Sequence, residues 1–169
     1  MTKERHGFVT FWLWLCIIAC AISAPVSMFR MDDMKTRACD NLSWLFEQGL
    51  IEINHDVISS IESGFFYLYI VMALEALFMI VGYAKLLKWK KSGFWFLIGT
   101  RVLSIATCAA LYVYINKTYQ VSYLTTSVFQ FHIPVMVIAS IVGAIYSLGI
   151  LFAILQIRKN GVSCWKQLE

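Results

Sequence analysis

The sequence predicts an all-α polytopic membrane protein: four transmembrane helices in an antiparallel bundle, with an amphipathic extracytoplasmic helical segment between the first two. Three observations carry this expectation. The 169-residue chain is 60% hydrophobic and only 14% charged, where a soluble domain carries about 25% charged residues. Its charges fall in short blocks between four long apolar runs, each exceeding the ~20 residues an α-helix needs to cross a hydrocarbon core. The lysines and arginines of the connecting segments are shared unequally between the two faces. A helix satisfies every backbone amide within its own segment, as lipid demands. Residues 1–169 therefore read as a single membrane domain.

The first span covers residues 7–29, "GFVTFWLWLCIIACAISAPVSMF". Its basic start (Lys3, Arg5) and "AISA" exit also fit a cleaved signal peptide. The apolar stretch is long for that role, however, and Pro25 disfavours cleavage directly after Ala24. Residues 30–63 form the longer outer loop, in which Leu42, Leu45, Phe46, Leu50, Ile53 and Val57 recur mostly at helical steps. Asp40 or Asn41 is placed to cap the start of this segment, and Gly49 and the Asn54-His55-Asp56 patch to break it. It is expected to form one or two short helices that lie on the membrane surface or cap the bundle; the sharper alternative is a docking surface for a protein partner. The second and third spans, about 64–87 and 92–115, flank a lysine-rich turn. The fourth, about 131–157, has Pro134 in its first turn, where the missing N–H is harmless, and a cytoplasmic tail, 158–169, follows.

Orientation follows from the basic residues. One face collects Lys3, Arg5, Lys85, Lys88, Lys90, Lys91, Arg158, Lys159 and Lys166; the other has Arg30, Lys35, Arg37 and Lys117. Both termini are therefore expected in the cytoplasm. The outer loop holds seven acids against three bases, which suits an external face. The formal net charge of +4 sets topology and gives no indication of nucleic-acid binding.

Two charges interrupt the spans. Glu75 lies thirteen residues before Lys88 and Arg101 thirteen after it. In a helical hairpin, equal distance from the turn means equal depth, here ~15 Å from the hairpin end at 1.5 Å per residue. An unpaired charge at mid-bilayer costs roughly 2.5–3.5 kcal/mol on insertion scales. Glu75 could escape by taking a proton, but a guanidinium stays charged. The two are thus expected to meet as an intramembrane ion pair, serving either as a structural clasp or as part of a polar path. Tyr83, Thr100, Ser104, Thr107 and His132 are candidates to extend it into a network. In the fourth span Ala139, Gly143 and Ser147 recur every four residues, a ridge that permits close helix packing, within the chain or against another copy.

No metal or cofactor is expected. The cysteines Cys16, Cys20, Cys39, Cys108 and Cys164 form no CxxC pair and suit small apolar packing roles. GxxxxGK[ST], GxSxG and HExxH are absent, and no nucleophile has an identifiable base and orienter. The sequence therefore points to a non-enzymatic accessory, regulatory or immunity-like subunit acting through helix packing and its outer loop. The rival is an oligomeric channel or a small-solute or proton carrier using Glu75 and Arg101. The lipid bilayer is the expected surrounding, and homo-oligomerisation is compatible with the ridge.

The turn "LLKWKKSGFWFLIG" carries Lys90, Lys91, Gly93, Phe94 and Trp95 in a basic, aromatic hairpin. It resembles one joining the second and third spans of small uncharacterised bacterial four-helix integral membrane proteins. The resemblance covers about a tenth of the chain. It implies a bacterial inner membrane and brings no catalytic residue with it.

Overall fold

The computed structural model of the protein describes residues 5–48, 55–120 and 128–168. Within them lie four long helices: α1 (Gly7–Glu47), α2 (His55–Leu87), α3 (Ser92–Gln120) and α4 (Val128–Leu155). Each contains a stretch long and apolar enough to cross a membrane: Gly7–Phe29, Glu62–Leu87, Ser92–Leu111 and Val137–Leu155. A two-stranded hairpin, β1 (Arg158–Lys159) and β2 (Val162–Ser163), and a short helix, α5 (Cys164–Gln167), complete the fold.

The first expectation to be corrected is the separate amphipathic segment. α1 runs unbroken through Asp40 and Asn41, so neither caps a new helix, and it ends only at Glu47. α2 already starts at His55, nine residues before the expected boundary at residue 64. The reason is local. Between Val26 and Gln48 the chain has no Gly or Pro to stop a helix, and its three Met, two Arg and two Leu, with Lys35, Ala38 and Glu47, favour one. Pro25 sits inside α1, where it deletes the bond its own N–H would have made and crowds the carbonyl four residues back, a disturbance that membrane helices tolerate. Beyond the apolar run, Lys35 pairs with Asp32 at 3.2 Å and the Tyr69 hydroxyl donates to the same carboxylate at 3.4 Å, tying α1 to α2. α3 likewise continues past residue 115 to Gln120, and α4 spans 128–155 where 131–157 was expected.

The hairpin end is the best-packed part of the molecule. α2 closes with a Schellman motif: the Lys90 N–H donates to the Lys85 carbonyl at 2.9 Å and the Trp89 N–H to Leu86 at 3.1 Å. The motif needs a left-handed residue, usually Gly, and Trp89 takes that conformation at φ 64°. Arg5 holds it there. Its guanidinium lies 4.0 Å over the Trp89 ring and donates to the Leu86 and Leu87 carbonyls at 2.6 and 3.3 Å, so the N-terminus staples the turn. Just inside, α2 and α3 approach almost backbone to backbone. A Cβ at Gly93 would collide with the Gly82 carbonyl and the Leu86 amide, and one at Gly82 with Leu97.

The chain end is the second correction. Residues 158–168 are not a free tail. Asn160 and Gly161 both take positive φ, 55° and 80°, in the two-residue turn that joins antiparallel strands. This reverses the chain so that Cys164 and Leu168 enter the core with Val9, Leu13, Leu86, Phe94 and Leu155. Trp165 stacks edge-on between Phe94 and Phe152, at 5.1 and 5.2 Å between centroids. α4 is thereby anchored at this end through Leu151 and Leu155, while farther along Ile138, Val142, Ile145 and Tyr146 are exposed.

Candidate functional site

Glu75 on α2 and Arg101 on α3 face each other. Arg101 Nη1 donates to Glu75 Oε1 at 2.5 Å. One helical turn beyond Arg101, the Ser104 hydroxyl donates to Glu75 Oε2, also at 2.5 Å. Residues three apart on a helix share a face, so one α3 face engages both carboxylate oxygens. Charge-assisted hydrogen bonds of this kind are stronger than neutral ones. The guanidinium is less completely answered: Arg101 Nε is buried without a hydrogen-bond partner among the described residues.

The cluster is not sealed between its two helices. A cleft of about 580 Å³ opens toward α4, with Glu75, Arg101 and Ser104 on one wall and Ala139, Ser140, Gly143, Ala144 and Ser147 on the other. A second cavity, of about 240 Å³, lies on the α1 side, where Cys20, Ser23, Ala24 and Ser27 face Glu75 and Arg101. A groove of about 230 Å³ between α2 and α3 also reaches Glu75. Carboxylate and guanidinium thus border cavities against α1 and against α4.

The other residues singled out from the sequence divide. Ser104 joins the pair directly. Thr100 and Thr107 border the α2–α3 groove, but their hydroxyls donate to Phe96 and Leu103, four residues back in their own helix, at 2.9 and 2.8 Å. That back-bonding is the usual resting state of threonine in a helix. Tyr83 is buried in the hairpin-end core, about two turns from Glu75. His132 lies in α4, its side chain outside the described residues. Ala139, Gly143 and Ser147 do not pack against α1; they border the cleft, and a Cβ at Gly143 would meet nothing within 4 Å. Leu42 and Leu45 fall within α1 and Val57 within α2, with side chains outside the described residues, as are Leu50 and Ile53 altogether. Phe46, on α1, is exposed.

Sequence reasoning passed over the α1 wall. Cys20, Ser23, Ala24 and Ser27 recur at steps of three, one and three, a small-residue stripe as legible as the one in α4. The five cysteines are free thiols, and the described residues contain no cluster of three or more His, Cys, Asp or Glu suited to a metal. Compared with protein-family models, curated proteins and solved structures, the chain matches none.

Proposed function

We propose that the chain is a non-enzymatic accessory subunit of a bacterial inner membrane, with both termini cytoplasmic, whose α4-side cleft receives a transmembrane helix of a partner protein. One observation carries this reading: the small-residue ridge of α4 faces an open cleft whose opposite wall is the Glu75–Arg101–Ser104 cluster. Ridges of this kind serve close helix approach. A charged cluster facing hydrocarbon is costly, so a partner helix with one polar side chain at this depth would both fill the volume and answer the guanidinium. The far ends of α1 and α2, with exposed Trp44 and Phe46, would extend the contact outside the membrane.

The test is a photo-crosslinking side chain placed at Ala139 in the full chain in its native membrane. The expected product joins Ala139 to a membrane-spanning peptide of one other protein, and is lost in Gly143→Phe. Products with lipid alone would refute the reading, and products with a second copy would replace it by self-association.

A second reading, a small-solute or proton carrier, is favoured by Glu75 and Arg101 bordering cavities on both the α1 and the α4 sides. It requires proton or ion flux in liposomes that Glu75→Gln abolishes without unfolding the protein. Flux that ignores Glu75 and Arg101 would dispose of it.

A further inference from the structure

Away from the cleft, the hairpin end gathers cations that the sequence scatters. Lys91 lies 4.8 Å over the Trp165 ring, which brings the α2–α3 turn and the folded chain end together although they are 74 positions apart. The elements that carry this contact also carry Lys88 and Lys90 on the turn, Lys166 next to Trp165 in sequence and Arg158 on β1, all exposed. Lys85 lies 4.3 Å over Phe96 on the same end. Among the described residues no Asp or Glu belongs to this end; the nearest acid in the α2–α3 hairpin is Glu75, inside its span.

Topology alone requires basic residues on this face, but not that a folded chain end be brought against them. The β1–β2 turn and the Trp165–Phe94–Phe152 stack hold α5 in place. The Lys91–Trp165 contact therefore brings their chain neighbours Lys90 and Lys166 to the same end of the molecule, where the apolar spans Glu62–Leu87 and Ser92–Leu111 meet. Aromatic rings prefer that interfacial level, and it is where lipid phosphates lie. Arg5 is already committed to the Leu86 and Leu87 carbonyls, whereas Lys90 and Lys166 are exposed, and a lysine ammonium is a compact, hydrated charge suited to a phosphate.

We propose that Lys90, Lys91 and Lys166, seated around Trp165, bind the phosphate headgroup of an anionic membrane lipid. The folded chain end makes this a lipid-binding surface rather than a diffuse basic loop. Each lysine near an anionic membrane surface strengthens attachment about fivefold.

The experiment uses the full chain in nanodiscs of phosphatidylcholine carrying a small fraction of phosphatidylglycerol, and reads the lipid retained on extraction by native mass spectrometry. Wild type is expected to retain phosphatidylglycerol in preference to phosphatidylcholine, and less of it as salt rises. Lys90→Gln with Lys166→Gln should lower that retention at least tenfold, and adding Lys91→Gln should lower it further. Lys35→Gln, at the other end, should change nothing. Lys90 and Lys166 are exposed, so the double variant keeps the test valid if Lys91→Gln does not fold. Equal retention of both lipids, or undiminished phosphatidylglycerol in the double variant, would overturn the proposal. So would displacement by millimolar inorganic phosphate, which would make the site one for the free anion.

Discussion

Charge removal at the Glu75–Arg101 pair should be asymmetric, and the asymmetry can be worked out in advance. Glu75→Gln keeps one oxygen for Arg101, replaces the oxygen that accepts from Ser104 with an amide N–H, and leaves the guanidinium without a counter-charge. Because arginine stays protonated, the expected loss is about 3 kcal/mol, where the insertion cost of a mid-membrane charge overlaps the cost of breaking a buried pair. Arg101→Met removes the permanent charge and leaves a carboxyl group that can take up a proton and still bond Ser104, so about 1 kcal/mol is expected. The double variant has no charge to desolvate and should lie within about 1 kcal/mol of wild type. The assay is reversible unfolding in mixed micelles titrated with sodium dodecyl sulfate, followed by circular dichroism and tryptophan fluorescence. A double-mutant cycle should give a coupling of about 2 kcal/mol or more. Equal losses in the two single variants, or a coupling below about 0.5 kcal/mol, would refute the reasoning.

Three further outcomes are expected. Gly93→Ala places a Cβ against the Gly82 carbonyl and the Leu86 amide and should cost about 1–3 kcal/mol through overpacking, read as a lowered thermal midpoint; Gly99→Ala, with nothing within 4 Å, should not. Arg5→Ala removes two hydrogen bonds and the Trp89 stack, and should cost about 2 kcal/mol and speed proteolysis at the turn, with Arg5→Lys failing to restore the paired contacts. Burial, reinforced by the nearby Glu62 carboxylate, pushes the Cys39 thiol above its ordinary range. With the other cysteines replaced by alanine, it should react with a membrane-impermeant maleimide more slowly than a free thiol at pH 8. The rate should keep climbing at higher pH, and labelling confined to inverted vesicles would reverse the proposed orientation.

The spans were legible because their signal is additive: enough consecutive apolar residues specify a crossing helix whatever surrounds them. The helix ends were less so. "Outer loop" was inferred from charge, but charge ends a membrane span without ending a helix, and the first Gly or Pro after Pro25 is Gly49, just past the α1 cap at Gln48. The chain end did carry a local signal, because Asn160-Gly161 is a hairpin turn by its residue types alone. What it encloses, Cys164 and Leu168 among the residues of α1–α4, has no local signature.

By itself the sequence determined the apolar runs, the segregation of basic residues and the equal spacing of Glu75 and Arg101 about Lys88, since these depend only on residue type and on the fixed rise of a helix. Tertiary structure alone decided that Ser104 takes the second carboxylate oxygen, that the α4 ridge faces a cleft rather than α1, and that Lys91 meets Trp165. The physical reason lies in the apolar character of the spans. A helix that is hydrophobic nearly all round carries no periodicity to say which face turns inward. In α4 that choice follows from the close α2–α3 crossing and from the anchor that Trp165 forms with Phe94 and Phe152.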